Sequence, residues 1–373
     1  MYTVTLGLCI LTNYYISIMI CIFLVLYFGM LLITEYHTMT EGQSRKARIV
    51  FGRIGRFAFA SLLAGGLAAA LLIPEVCAIL RTDFGNSDFP GTLESYFSVF
   101  DMLARHCLCV TTERGLEHWP NIYCGVAVFL LVPMYALNEK ISVRKRFCNL
   151  ALAGFLLLSF GTNVLDFLWH GLNYPDSLPA RQSFLYIFLI LVMCYDAFRN
   201  VEGTSPRQII YGYLAAVIFL LACEKFVESE DFDTGIEVLT LVFVTIYGVI
   251  LYLYRTRKSE LTRQVLGILV LACVVAELSI NTFNTSLGTT GRSAYLGDQE
   301  DYKALYVLAQ EQEGDDFFRI EKFTRKTKND GTLTGYPTAS VFSSTMNSRV
   351  MDLYKKLGMR HSKVYYGFDG ATA

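Results

Sequence analysis

Side chains that can do chemistry crowd one short stretch between two apolar runs. The stretch carries carboxyl, imidazole, indole and guanidinium groups; its members are Asp166, Trp169, His170, Tyr174, Pro175, Asp176, Pro179 and Arg181. An arginine holds phosphate through paired N–H donors, and an aspartate or histidine can move a proton. The stretch therefore favours a site for an anionic, lipid-linked substrate, with Arg181 on the phosphate and Asp166 or His170 transferring the proton.

The same stretch has a structural interpretation. Loops at a membrane surface often carry an aromatic belt with capping charges, and Trp169 fits such a belt. Both interpretations stay open on the residues alone. The spacing matches no metal motif of the His-Glu-x-x-His type, so no ligand set is predicted, and the cofactor stays unknown with a divalent metal left open.

Isolated acids at the ends of apolar runs are further candidates. Asp83 follows one run and serves equally well as a helix-end charge. Glu75 lies near the outer end of the same run, where snorkelling to the interface explains it as well as a cavity does. Glu277 lies deeper, about one third of the way back from the outer end of the last run, and polar residues at such depth usually face the bundle interior. We predict a structural or functional role for Glu277 and include it with Asp83 among the substrate-binding candidates.

Other polar clusters give weaker signals. His106 and His118 flank Cys107 and Cys109, whose i, i+2 spacing suits neither zinc nor an unstrained disulfide. A net charge of −1 gives no global case for nucleic-acid binding. The sequence contains no P-loop, Rossmann or kinase motif, and it therefore gives no evidence for ATP-driven transport.

The elements that position these residues are apolar runs. Hydrophobic residues make up 53% of the 373 residues and charged residues only 17%, a composition typical of membrane proteins. A run of about 20 residues crosses a hydrocarbon core of about 30 Å. Eight spans are predicted: Tyr14–Ile33, Phe57–Leu80, Ile122–Leu137, Phe147–Leu165, Phe184–Phe198, Ile209–Phe226, Ile236–Tyr254 and Val265–Phe283. A ninth, partial run, Val4–Leu11, precedes Asn13, where we predict a break or a short turn.

The basic turns set the predicted orientation. Four turns rich in Lys and Arg fall on one side if the spans alternate: Tyr36–Arg56, Asn138–Arg146, Arg199–Arg207 and Arg255–Arg263. Cytoplasmic loops carry this excess of positive charge, so the opposite loops, residues 81–120 and 166–182, are predicted to lie outside. The chain then divides into a transmembrane domain, residues 1–283, and an extracytoplasmic segment, residues 284–373.

The segment after residue 283 reads as part of a mixed α/β domain. An amphipathic helix is predicted over Gly297–Glu313, strands over Phe317–Thr324 and Tyr336–Ser344, and a helix over Ser348–Leu357 that Gly358 ends. The fold class is therefore mainly α. It is a polytopic bundle of about eight to nine spans followed by a partial extracytoplasmic α/β segment.

Several stretches resemble the YfhO family of bacterial membrane proteins. They occur in order along nearly the whole chain: Asn13–Phe28, Asn121–Gly125, Trp169–Gly171 with Pro175 and Leu178–Phe184, and Phe317–Glu321 with Asn329-Asp330 and Phe342–Ser344. The family is similar to glycosyltransferases of the GT-C type, which have many transmembrane helices and an extracytoplasmic active site. The resemblance implies transfer of a sugar from a polyprenyl-phosphate donor to a cell-wall polymer such as lipoteichoic acid, in the bacterial plasma membrane.

The resemblance also implies that part of the enzyme lies outside this sequence. Enzymes of this type usually carry the key acid in the first outer loop, so the catalytic acid is expected upstream, in a longer protein of which this chain is a truncated form. The residues present would then contact substrate, with Arg181 and His170 as first choices. Two other functions stay open: a transporter or flippase of lipid-linked sugars, and a non-catalytic scaffold for cell-wall assembly.

Overall fold

The computed structural model describes residues 1–42, 45–82, 88–113, 119–174, 180–230, 232–289, 291–314, 316–322, 325–343 and 345–367. By their contacts the residues form two compact units. The first combines Met1–Leu67 with Phe89–Gly288, and the second combines Ala68–Asp88 with Thr289–Ala373. The boundary expected between residues 283 and 284 stays a prediction, because hydropathy reports the surrounding medium whereas a compact unit reports contacts.

The described residues are mainly helical. Numbered along the chain, the helices are α1 (Tyr2–Thr12), α2 (Tyr14–Thr40), α3 (Lys46–Leu67), α4 (Ala69–Ile79), α5 (Val99–Ala104), α6 (Val128–Leu137), α7 (Val143–Gly161), α8 (Asn163–Trp169), α9 (Ser183–Arg199), α10 (Pro206–Phe226), α11 (Thr234–Thr256), α12 (Glu260–Thr285), α13 (Arg292–Leu296), α14 (Gln299–Glu313), α15 (Asp330–Thr334) and α16 (Ser348–Lys356). The strands are β1 (Val341–Phe342), β2 (Arg360–Ser362) and β3 (Tyr365–Gly367).

Five helices in the described part of the chain are long and apolar enough to cross a membrane, namely α2, α3, α10, α11 and α12. Their outward faces are apolar. On α12 only Leu266 and Glu277 are buried, whereas Ile268, Leu271 and Val275 are exposed. Contiguous exposed apolar surface of this kind is unfavourable in water and is expected against lipid. The first unit is therefore a multi-pass membrane bundle.

The predicted total of eight to nine spans is not reached by this measure, because several apolar runs do not form one long helix. The run Phe57–Leu80 is interrupted at Ala68, between α3 and α4, although α3 is still one of the five. The run Phe184–Phe198 forms α9, which has only 17 residues. The run Phe147–Leu165 is interrupted at Thr162, whose backbone is extended, between α7 and α8. The run Ile122–Leu137 is helical only in α6, which has 10 residues. Hydropathy detects apolar composition and does not report whether the helix is continuous.

The core of the first unit lies around α9, which packs against α6 and α7. Its fully buried side chains come from helices distant in sequence, among them Met19 of α2, Leu130 of α6, Leu156 of α7, Leu189 of α9 and Tyr247 of α11. The break predicted at Asn13 is confirmed: α1 ends there, and the Asn13 side chain accepts a hydrogen bond from the Ile16 amide at 3.1 Å to begin α2.

The second unit contains a small antiparallel sheet of order β1-β3-β2. Helix α16 covers one face, where Tyr354 lies against Tyr366 with ring centroids 4.3 Å apart. The predicted helices over 297–313 and 348–357 are confirmed as α14 and α16, and Gly358 adopts a left-handed φ of +71° after α16. The amide of Ser348 donates to the Arg81 carbonyl at 2.9 Å, which joins residues 68–88 to this unit.

The strand predicted over Phe317–Thr324 is wrong for residues 317–322, which carry no strand, and the other two residues lie outside the described ones. The Ile320 amide donates to the Pro337 carbonyl at 2.8 Å, and side-chain contacts of one carboxyl group take the place of a longer ladder. Glu321 accepts hydrogen bonds from the Thr338 hydroxyl at 2.6 Å and from the amide and hydroxyl of Ser340 at 2.8 and 2.6 Å. The second predicted strand, Tyr336–Ser344, is reduced to the two residues of β1.

Candidate functional site

The break between α7 and α8 positions the polar stretch found in the sequence. At the break the Gly161 carbonyl accepts a hydrogen bond from the Tyr96 amide at 2.9 Å. The Asn163 side chain donates to the Thr92 carbonyl at 2.8 Å and accepts from the Glu94 amide at 3.0 Å. Segment 92–96 is thereby held alongside the start of α8.

Helix α8 carries a buried acid–histidine pair. Asp166 and His170 are each 2% exposed, and the His170 Nδ1 lies 3.0 Å from Asp166 Oδ1 and 2.8 Å from the Asp166 carbonyl oxygen. Since both neighbours of Nδ1 are acceptors, we assign the ring hydrogen of the neutral imidazole to Nδ1. The lone pair then lies on Nε2, the nitrogen that can accept a proton.

The second ring nitrogen is the unusual feature of this pair. His170 Nε2 is buried and has no hydrogen-bond partner among the described residues. Leaving a buried polar atom unpaired costs about 1–3 kcal/mol, so such atoms need a physical explanation. A group held by a carboxylate on one side and left open on the other is suited to general-base chemistry.

Tyr96 hydrogen-bonds the second oxygen of the acid. Its hydroxyl donates to Asp166 Oδ2 at 3.1 Å. Burial, followed by the negative charge of Asp166, raises the pKa of Tyr96 well above its usual range. Tyr96 therefore keeps its proton at neutral pH and remains a donor to the carboxylate, which fixes the second oxygen of Asp166.

Tyr15 connects the acid–histidine pair to Arg181. Its ring centroid lies 6.2 Å from that of His170, and the Arg181 guanidinium lies over the Tyr15 ring at 5.0 Å. An arginine stacked on an aromatic ring is held by a cation–π interaction that fixes its plane. The site therefore combines a proton-transfer pair with an oriented guanidinium, the group that binds phosphate in a bidentate fork.

The remaining predicted residues fall elsewhere. Trp169 is 2% exposed and packs in the main core of the first unit, so its indole does not lie in an interfacial belt. Asp83 lies outside the described residues, as do Pro175, Asp176 and Pro179. The structure thus brings together Asp166, His170 and Arg181, and the substrate-binding roles of Trp169 and Asp83 stay predictions.

Glu277 belongs to a separate polar cluster inside the bundle. Its Oε1 accepts hydrogen bonds from the Tyr123 hydroxyl at 2.7 Å and the Val126 amide at 2.6 Å, and its Oε2 accepts from the Tyr247 hydroxyl at 2.7 Å. The backbone of Gly125, which has a left-handed φ of +98°, lies beside the Glu277 carboxyl group. Glu277 thus joins α12, α11 and the segment that leads into α6. A role in binding substrate stays a prediction.

Sequence reasoning missed three residues near the polar stretch. Tyr96 lies 70 positions from Asp166, and no local pattern links them. Tyr15 lies just after the predicted break at Asn13, and no local pattern links it to His170 or Arg181. Gln182 follows Arg181 and is fully buried, and neither atom of its amide has a partner among the described residues. A glutamine at the start of an apolar run was the one available signal.

The histidine–cysteine cluster does not assemble a site in the described residues. The His106 ring contacts the Leu103 carbonyl and the Tyr186 hydroxyl, each at 3.0 Å. Cys107 is buried in a separate apolar cluster, and His118 lies outside the described residues. In the part of the chain that the structure describes, no group of three or more His, Cys, Asp or Glu side chains is placed to hold a metal ion.

Comparison with known proteins agrees with the membrane architecture. The sequence profile of the family described as "Bacterial membrane protein YfhO" matches residues 1–373. No curated protein and no solved structure matches the chain.

Proposed function

The chain belongs to the YfhO family of bacterial membrane proteins, and from this premise we propose that it is a membrane glycosyltransferase of the GT-C type. The donor is a sugar on polyprenyl phosphate, and the acceptor is a cell-wall polymer such as lipoteichoic acid. The observation that carries the proposal is the buried Asp166–His170 pair, whose Nε2 has no hydrogen-bond partner among the described residues, beside an arginine stacked on Tyr15.

The proposal places the protein in the bacterial plasma membrane with its basic turns in the cytoplasm. Helices α6, α7 and α9 bring the five crossings to eight, and α1 supplies the partial ninth. The Asp166 cluster and the segment after residue 283 then lie on the outer side. The excess of Lys and Arg in the four turns is the support for this orientation.

The bonds of the transfer step assign a role to each group. The acceptor hydroxyl oxygen bonds to the anomeric carbon of the sugar, while the bond from that carbon to the donor phosphate oxygen breaks. His170 Nε2 takes the hydroxyl proton, and the Asp166 carboxylate stabilises the imidazolium that forms. Polyprenyl phosphate leaves with its added negative charge, which the Arg181 guanidinium stabilises.

The test measures sugar transfer. The protein is produced from its whole gene and reconstituted with a radiolabelled polyprenyl-phosphate sugar and the acceptor polymer. We expect His170→Gln to lower kcat about 10²-fold or more, since general-base catalysis contributes on that order. We expect Arg181→Ala chiefly to raise the KM for the donor. The matched controls are His37→Gln and Arg199→Ala, two exposed side chains of the same types.

Three results would contradict the proposal. One is full transfer by both site variants with unchanged thermal unfolding. Another is equal loss of transfer in the control variants. The third is movement of the donor between leaflets without any sugar transfer in proteoliposomes that contain acceptor, which would favour a flippase.

A further inference from the structure

The second unit contains a cleft lined by positive side chains. We call it the basic cleft; it has a volume of about 480 Å³ and is lined by Arg325, Lys326, Thr327, Lys328, Arg360, His361, Ser362 and Tyr365. No aspartate or glutamate is among the described residues that line it. Neither the Asp166 pair nor Arg181 contributes to it, so the cleft shares no residue with the proposed site of sugar transfer.

The sheet supplies one wall of the basic cleft. Arg360 pairs with Gly367 and Ser362 pairs with Tyr365, so these side chains lie on one face of β2 and β3. Tyr366 points to the opposite face, which α16 covers. The face that carries Arg360 is therefore the one left for residues 325–328.

A tight turn supplies the other wall. Asp330 accepts hydrogen bonds from the Lys326 amide at 2.9 Å and from the amide and hydroxyl of Thr327 at 2.7 and 2.8 Å. Asn329 bonds the backbone of Phe342 twice, at 3.1 and 2.8 Å. Lys328 is thus carried on a backbone fixed at both sides, and a preorganised cation loses less entropy when it binds an anion.

The floor of the basic cleft is aromatic but covered. Arg325 lies over the Tyr365 ring at 5.6 Å, and Lys328 lies 5.1 Å from the same ring and 5.5 Å from that of Phe342. Tyr365 is only 6% exposed. Binding of single-stranded nucleic acid relies on open aromatic faces for base stacking, and the Tyr365 ring, which lines the cleft, is covered.

The cations on the rim differ in their partners. The Lys326 ammonium contacts Asp298 and the carbonyl groups of Ala294 and Tyr295, so acid and backbone neutralise it in part. Lys328 and Arg360 are exposed on opposite walls. Two cations on separate walls can hold successive anionic groups of one ligand.

We propose that the basic cleft binds a chain of phosphate esters, with Lys328 and Arg360 contacting successive phosphate groups. The inference rests on the cleft alone and stands whether or not the protein transfers sugar. Arginine and lysine both recognise phosphate, the arginine through paired donors and the lysine as a point charge.

The test measures binding to the full chain in phosphatidylcholine nanodiscs, with a synthetic glycerol-phosphate hexamer as the probe. We expect the double variant Lys328→Gln/Arg360→Gln to raise the Kd about tenfold or more, because each charge-assisted contact contributes strongly to affinity. The dependence of log Kd on log salt concentration should become shallower by about one for each contact removed. Inorganic phosphate should bind far more weakly than the hexamer.

The charge-matched control is Lys303→Gln/Lys355→Gln, two exposed lysines of α14 and α16 outside the basic cleft. Equal weakening by this control would overturn the proposal, as would unchanged binding by the double variant. Tighter binding to phosphatidylglycerol vesicles through Lys328 and Arg360 would assign the cleft to lipid headgroups and overturn the polymer assignment. Tighter binding of hexathymidylate would likewise assign the cleft to nucleic acid.

Discussion

Two buried acids in the first unit have opposite surroundings. Glu277 accepts hydrogen bonds from Tyr123, Val126 and Tyr247, three donors brought from different parts of the chain. Asp166 accepts from Tyr96 and contacts His170, whose second nitrogen is open among the described residues. Both acids are almost fully buried, at 1% and 2% exposure, so burial does not distinguish them.

The two acids differ in the groups that their hydrogen-bonding partners present. The donors to Glu277 form a closed cluster that joins helices, whereas the partner of Asp166 ends in a nitrogen that can still accept a proton. Buried polar networks with every member satisfied rigidify a fold, and an unsatisfied member is where chemistry or a ligand is expected. We therefore expect substitutions of Glu277 to change stability and substitutions of Asp166 to change activity.

The largest effect is expected from Glu277→Ala. The change leaves two hydroxyl groups and one amide without their acceptor inside the bundle, and we expect the free energy of unfolding to fall by about 4 kcal/mol. The measurement is unfolding in mixed SDS micelles. Glu260→Ala, an exposed acid in the first turn of the same helix, is the control. A loss below about 1 kcal/mol would mean that the cluster does not hold the helices together.

The next effect is expected from Asp166→Asn, which keeps the shape of the side chain but removes its charge. The imidazolium formed when His170 takes a proton then loses its counter-ion, so we expect kcat for sugar transfer to fall about 10²-fold. The free energy of unfolding should change little. The control is Glu277→Gln, for which we expect unchanged kcat per folded molecule. A lower kcat in Glu277→Gln and a normal one in Asp166→Asn would reverse the comparison.

The smallest effect is expected from Asp330, a buried acid of the second unit. Burial opposes its ionisation, but hydrogen bonds from Lys326 and Thr327 outweigh burial and lower the pKa of Asp330. A lowered pKa contributes stability that is present above the unfolded value of about 3.9 and is lost as pH falls through the folded value. We expect proteolysis of the turn by an acid protease to accelerate below about pH 4.

Asp330→Asn should remove much of that pH dependence and destabilise the turn by about 1 kcal/mol at neutral pH. The control is Asp352→Asn, an exposed acid on α16. An unchanged pH profile in Asp330→Asn would show that another group governs the acid sensitivity of this unit.

Short sequence patterns predicted the features of the fold that depend on neighbouring residues. The break at Asn13 follows from its capping side chain, and the end of α16 follows from Gly358. Each of these features depends on residues within a few positions of one another.

The remaining features depend on contacts between distant residues, which one sequence does not reveal. Tyr123 lies 154 positions from Glu277, and the interruption at Ala68 carries no proline at the break itself. Glu321 bonds residues 338–340 and replaces a predicted strand ladder with side-chain contacts. The polar stretch was therefore recognisable by its residue types, while its partners Tyr96 and Tyr15 were not.

Tyr15 has a consequence for the evolution of the site. Its single ring contacts the imidazole of His170 and supports the guanidinium of Arg181, although the three residues come from separate segments. A relative that replaced this tyrosine would disturb both groups in one step. Positions 15, 170 and 181 are therefore expected to be inherited as a set and exchanged together, like the parts of a single motif scattered along the chain.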